Sequence, residues 1–187
     1  MKKLFLLAAL LVTASVFASE AAVKDVIKAY RKADAAFDLK MFDYLTGDFS
    51  TEIMGKKIDR PTMFKTVKSF RTMLETDDLE VFVESAMRIQ GVNMTADQRK
   101  KIRAMKDSEK KTALQLGKEQ VKQLQKFAAI GANNLDFKKC VVNGNNAVAV
   151  VSFFEPVSGK SVSGEYILIK KNGKWLIKSV NLQMPQK

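Results

Sequence analysis

"LDFKKCVVNGNNAVAVVSFFEPVSGKSVSGEYILIKKNGKWLIKSVNL", residues 135–182, holds four apolar runs separated by turn signals. "LDFKKCVV" and "AVAVVSFF" flank Asn143-Gly144, while "VSGEYILIK" and "KWLIKSVNL" flank Asn172-Gly173. Asn-Gly supplies the positive φ angles that a two-residue hairpin turn requires, so each pair predicts a hairpin. Pro156 and Gly159 mark the turn between the two hairpins. Four strands in succession make an antiparallel meander. "AVAVVSFF" is apolar at both parities, which predicts a central strand covered on both sides. The other three alternate, as strands with one wet face do.

Upstream the pattern turns helical. Across residues 20–37, Val23, Val26, Ile27, Tyr30 and Phe37 recur at helical spacing, with Lys24, Lys28, Arg31 and Lys32 on the opposite face. Residues 39–45 predict a short second helix stopped by Gly47, and "DFSTEIM" predicts a first strand. Pro61 opens the next helix, because its missing N–H costs nothing at a first helical position. Met63, Val67, Phe70 and Leu74 are its buried stripe. "DDLEVFVESAMRIQG", residues 77–91, fits both periods and is read as helix. Thr95 and Gln98 form a capping box. A helical pattern runs from there to about residue 130, with a break expected near Gly117. The whole is an α+β plan: N-terminal helices packed on a curved antiparallel sheet ending in a four-stranded meander, a cone-shaped, cystatin-like roll.

Residues 1–18 read as a signal peptide. Lys2 and Lys3 form a charged start, residues 4–12 are continuously apolar, and "SVFAS" places Val16 and Ala18 before a cut ahead of Ser19. The apolar run is too short for an ordinary membrane span, and no Cys follows it for lipid attachment. The expected compartment is the periplasm or the exterior, with residues 19–187 forming a single domain. Removing the two leader lysines leaves 30 basic and 20 acidic residues, a net charge of +10. That balance favours anionic partners. A single cysteine, Cys140, rules out an internal disulfide, and its apolar setting predicts a buried strand thiol. The chain contains no histidine. Any Ser-His or Cys-His machinery is thereby excluded, along with the commonest general base and metal ligand. Neither a Gly-rich phosphate loop nor metal-ligand spacing is present, so no cofactor and no metal are expected.

"AYRKADAAFDLKMF", residues 29–42, followed by "DF" at 48–49, is similar to the first corner of the nuclear transport factor 2-like superfamily, which includes ketosteroid isomerase and polyketide-cyclase-like enzymes. "EYILIKKNGKWLIKSVNL" is similar to that superfamily's last hairpin, where a Trp commonly follows the turn. The resemblance covers roughly residues 20–75 and 135–183 and leaves residues 76–134 as a helical insertion. It implies a cone between helices and sheet that can hold an apolar pocket. Tyr30, Asp34, Phe37, Met54, Phe153, Glu165 and Trp175 are the residues expected to line it. Laid ungapped on the ketosteroid-isomerase pattern, Tyr30 falls at the oxyanion-hole tyrosine and Glu165 near the second oxyanion donor. The general-base position, sixteen residues beyond Asp38, holds Met54. A thioether cannot take a proton from carbon, and proton abstraction needs a positioned base. No catalytic residue is assigned. An isomerase- or cyclase-like reading would need Tyr30 with Glu52 or Asp34 as base; a structural reading would need a filled cone.

The inserted segment carries ten basic residues between Thr95 and Lys126 against four acids, a net of +6. Arg99, Lys100, Lys101, Arg103 and Lys106 are the expected contacts for an anionic surface such as lipid headgroups. Nucleic acid is not expected, because no aromatic residues interleave with the basic run for base stacking. The sequence thus predicts an exported, non-catalytic protein that binds a small apolar or amphipathic ligand, a lipid among the options, or an envelope partner. Its oligomeric state stays open, a dimer being compatible.

Overall fold

The computed structural model describes residues 2–53, 55–156 and 159–183, with side chains from Ser19 onward except that of Ile53. Met54 lies outside the described residues. Helix α1 (Lys2–Ala35) runs through the leader-like stretch into the body of the domain without a break. A 3-10 turn over Leu39–Tyr44 follows, capped by the Asp38 carboxylate, which accepts from the Lys40 backbone N–H at 3.0 Å. The turn ends at Tyr44, three residues before Gly47. Leu45 is already extended and pairs with Ile177, so Gly47 belongs to strand β1 (Leu45–Ile53).

A short strand β2 (Lys56–Asp59), which the sequence pattern did not show, precedes α2 (Arg60–Glu75). The Asp59 carboxylate caps α2 by accepting from the Thr62 N–H at 2.9 Å, and Pro61 sits in the first turn as expected. The segment of residues 77–91 is helical: α3 (Leu79–Ile89), capped by Asp78. Thr95 and Gln98 do form a capping box, on α4 (Ala96–Ala104). The break before α5 (Asp107–Asn133) falls at Met105 and Lys106, which are both extended, and not at Gly117. Gly117 lies inside α5 because α3 packs there: a Cβ at 117 would stand 2.5 Å from the Phe82 ring.

The meander follows as β3 (Asp136–Asn143), β4 (Asn146–Glu155), β5 (Lys160–Lys171) and β6 (Lys174–Gln183). Asn172 and Gly173 both take positive φ, 51° and 79°, as the second hairpin turn demands. The six strands form one curved sheet in the order β2-β1-β6-β5-β4-β3. The sheet is mixed where an antiparallel one was expected, because β1 joins β6 in parallel, Thr51 beside Val180.

The inward sheet rows carry Ala147, Ala149, Val151 and Phe153 of β4 beside Val162, Tyr166 and Leu168 of β5 and Ile177 and Val180 of β6. Val23, Ile27 and Tyr30 of α1 pack into the same buried cluster. Each such valine, leucine or isoleucine side chain contributes about 1.5–3 kcal/mol by leaving water. A smaller core of Met73, Phe82 and Val121 joins α2, α3 and α5. The expectation that β4 would be covered on both sides fails. Val148 and Val150 on its outer side are half-buried and Phe154 is 45 % exposed. Their shielding includes neighbouring strand side chains, Ile167 beside Val148 among them. Among the described residues, no helix is long and apolar enough to cross a membrane.

Candidate functional site

The last turns of α1 place Tyr30, Arg31 and Asp34 against β4, β5 and α5. Ile27, Tyr30, Arg31 and Asp34 recur at steps of three and four, so all four share the buried side of the helix. Arg31 had been expected on the solvated face. Instead only 13 % of its side chain is exposed, and its guanidinium lies 4.4 Å from the centre of the Phe153 ring. Its Nη1 donates to Asp34 Oδ2 at 3.1 Å, while Nε is buried without a hydrogen-bond partner. The signal for this was in the sequence: Arg31 lies four residues from Ile27, on the same stripe.

Burial pushes the Tyr30 hydroxyl well above its usual range, with the Asp34 charge adding to the effect. Tyr166, fully buried beneath, is pushed up for the same first reason, and its hydroxyl has no hydrogen-bond partner. Desolvation also raises the Asp34 carboxyl, with Arg31 opposing; the 30 % of its side chain left open limits that push. Arg31 stays a cation. Desolvation works against its charge, but the facing oxygens of Tyr166, Asp34 and Tyr30 outweigh it.

A cleft of about 250 Å³ reaches one member of this cluster, Arg31; neither Tyr30 nor Asp34, both expected to line a pocket, belongs to its wall. Arg31 and Phe153 lie along one side, with Leu124, Phe127 and Ala128 of α5 opposite, and Glu155 also lines it. Gly131 lets α5 approach the end of β4. A Cβ there would stand 3.1 Å from the Phe154 carbonyl oxygen and 3.9 Å from Arg31 Nη2.

The other expected pocket residues scatter. Phe37, at φ 53°, stacks on Phe70 at 4.4 Å and joins the smaller core. Glu165 has the opposite strand parity to Tyr166. It shares an outer row with Val150, Asn181 and Glu52. Neither Glu165 nor Glu52 therefore faces Tyr30. Trp175 is buried beside Lys170, eight residues along β5 from Val162, the partner of Phe153. At about 3.3 Å per residue that is roughly 26 Å, too far for Trp175 and Phe153 to wall one small pocket. Cys140 is half-buried on β3, and burial pushes its thiol up.

The basic insertion is partly spent on internal pairing. Arg99 Nη1 bridges Glu80 and Glu84 at 3.1 Å each, and Arg103 grips Glu80 through Nε at 2.8 Å and Nη2 at 2.9 Å. These bonds tie α4 to α3 and hold the Glu80 carboxyl down at about 2. Lys106 sits at the extended joint, its backbone N–H donating to Glu109 at 3.0 Å. Lys100 and Lys101 stay exposed. A broader cleft of about 620 Å³ lies between α1 and α5, lined by Lys32, Lys122 and Lys126 over a floor of alanines, with no acidic residue in its wall. Among the described residues, no group of three His, Cys, Asp or Glu could hold a metal ion.

Helices stacked on one curved sheet, with β1 returning beside the last strand of a meander, settle the architecture. It is consistent with the fold expected from the resemblance to the nuclear transport factor 2-like superfamily. No family model matches the chain, and no curated protein does. Among solved structures, the chain is similar to a nuclear transport factor 2-like protein of unknown function from Shewanella baltica OS155, at 11 % identity and a TM-score of 0.47, covering 91 % of this chain and 97 % of that one. It is also similar to one from Silicibacter pomeroyi DSS-3, at 13 % identity and a TM-score of 0.43, covering 88 % and 94 %. A function-unknown protein from Mycobacterium tuberculosis aligns at 16 % identity and a TM-score of 0.47, covering 91 % and 74 %. Likenesses at this level concern architecture alone.

Proposed function

We propose that this chain is an exported, non-catalytic binding protein that takes up a small amphipathic molecule in the cleft beside Arg31. The observation that carries the reading is a cleft of about 250 Å³ in which the Arg31 cation, 4.4 Å from the centre of the Phe153 ring, shares the lining with the apolar side chains of Leu124, Phe127 and Ala128. Few, convergent polar groups in an apolar recess are what small-ligand sites use. A proton-transfer reaction has less support: Glu52 lies on the outer sheet face and Asp34 is held by Arg31. The leader-like residues 1–18 support export. Native mass spectrometry of protein recovered from its own host tests the reading. An amphipathic adduct that leaves on unfolding is expected. Its absence, together with no uptake of any small apolar probe, refutes it.

A second reading rests on the lysine-lined cleft between α1 and α5. Lys32, Lys122 and Lys126 converge there without an acid in the wall, which suits anionic lipid headgroups. Vesicle binding that needs anionic lipid, falls with salt and is lost on reversing these three lysines is the expected result. Equal binding to neutral vesicles overturns it.

A further inference from the structure

We infer that the outward side of α5 docks on an anionic bilayer, its exposed apolar stripe entering the acyl region while its lysine flank holds the headgroups. This rests on the lysine-cleft reading above and adds an inserted half to it. The two halves follow from helix geometry. Lys122, Lys126 and Asn133 recur at steps of four and seven, so they share the side of α5 that borders α1 and the lysine-lined cleft. Leu116, Gln123, Phe127 and Ile130 recur at steps of seven, four and three on the neighbouring stripe, on the far side from the buried Val121 and Ala132. Leu116 is 57 % exposed, Ile130 is 42 % exposed, and Phe127 is half-buried. At 1.5 Å per residue, the stripe from Leu116 to Ile130 runs about 21 Å along the surface.

The patch continues past α5. Leu124, 46 % exposed, and Phe154 of β4 line the adjoining cleft together with Phe127 and Pro156. Exposed apolar side chains gathered in one patch mark an interaction site, where single ones do not. Charge decides among partners. Lys32, Lys122 and Lys126 stand along one border, without an acid in their cleft wall. Glu109, Glu119 and Glu155 lie along the other borders and are engaged within the protein. Glu109 accepts from the Lys106 N–H at 3.0 Å, Glu119 accepts from the Gln115 side-chain amide at 3.2 Å, and Glu155 has a partner of its own. A second copy docked through this face about a two-fold axis would bring one lysine row towards another. An apolar stripe with lysines beside it is the pattern of a helix that lies in the plane of an anionic interface, where each lysine adds attraction.

The test places a reporter on the stripe. Wild type, Ile130→Trp and Val141→Trp are each mixed at low salt with phosphatidylglycerol vesicles whose acyl chains are brominated and quench an indole on contact. Val141 is 47 % exposed on β3, beside Val148 of the outer sheet side, and controls for tethering through residues 1–18. Ile130→Trp is expected to lose most of its added emission. Val141→Trp and wild type, whose single Trp175 is buried, should stay bright. Brominated phosphatidylcholine should quench none of them. The double variant Leu116→Ser, Ile130→Ser changes only exposed positions, and should weaken vesicle binding about tenfold or more with an unchanged thermal midpoint. If binding needs anionic lipid and the three lysines but Ile130→Trp stays bright, the insertion is wrong while the headgroup reading stands. Equal quenching at positions 130 and 141 also overturns the insertion. Quenching of Ile130→Trp by phosphatidylcholine as strongly as by phosphatidylglycerol overturns both, as does a complete lack of vesicle binding. In that last case, a lipid-free dimer in analytical ultracentrifugation that dissociates in the double variant assigns the face to a second copy instead.

Discussion

Replacing Gly117 by alanine opposes two effects of known size. In an ordinary exposed helix the change stabilises by about 1 kcal/mol through helix propensity. Here the new Cβ would meet the Phe82 ring at 2.5 Å from Cζ and 2.6 Å from Cε1. Carbon atoms pack comfortably at about 3.5–4.0 Å, so the ring must withdraw by about 1 Å from a core it shares with Met73 and Val121. Overpacking of that kind costs about 1–3 kcal/mol. The net expectation is a loss of about 0–2 kcal/mol. Removing the ring should reverse the sign: in a Phe82→Leu background, Gly117→Ala should stabilise by up to about 1 kcal/mol. Urea titrations of the four proteins, followed by far-ultraviolet circular dichroism with unchanged m-values, give the coupling directly. A coupling within about 0.5 kcal/mol of zero, or a full gain in the wild-type background, refutes the packing of α5 on α3 described above.

Glu80 holds a depressed pKa of about 2 against an ordinary 4.5, so its stabilisation is complete above pH 4.5 and is lost as pH falls towards 2. Thermal midpoints of Glu80→Gln should accordingly fall less steeply than wild type across that window; parallel curves would count against the Glu80–Arg103–Arg99 network. Reversing Lys100 and Lys101 together should leave the midpoint nearly unchanged, whereas Arg103→Glu should lower it, since of these three residues Arg103 alone is bonded to α3. Gly131→Ala should destabilise the domain and displace α5 from β4, read as lost protection in amide exchange at residues 127–133, unless the Phe154 carbonyl can yield. Amino-terminal sequencing of protein made in its native host should begin at Ser19; an intact Met1 would overturn the export reading.

Much of the fold is legible because the elements report locally. The Asn172-Gly173 turn, the Thr95–Gln98 box and the Pro61 start are chemical signals confined to a few residues, and the structure has each in place; the first hairpin also forms, but its turn pair is Gly144 and Asn145, with Asn143 already in β3 and paired with Asn146. The parallel join of β1 to β6 is not legible, since no local feature of "DFSTEIM" tells which edge it will meet. β2 escaped notice because its four residues, "KKID", carry too little alternation. The joint at Met105 and Lys106 was misplaced at Gly117 because glycine usually marks a break, whereas here it marks a contact. At the site, Tyr30 could be placed on the buried stripe by spacing alone. Arg31 was assigned to solvent on its charge, although it shares that stripe; a buried ion pair with Asp34 and a ring beneath it overrode residue type. Glu165 and Trp175 could be placed in strands but not on a common wall, because strand parity and distance along the sheet depend on a register that only pairing reveals.

The parallel pairing of β1 with β6 has a consequence in time. Ribosomes add about 5–20 residues per second, and 120 residues lie between the end of β1 at Ile53 and the start of β6 at Lys174. For roughly 6–24 s the nascent β1 has no β6 to pair with. The helices α2 to α5 and the first three strands of the meander are all made during that interval. The two parts of the sheet are therefore joined last by its C-terminal strand, across long-range contacts of the kind that slow folding. The export proposed above would gain from such an order, because the final tertiary lock forms only after the last residues have been made.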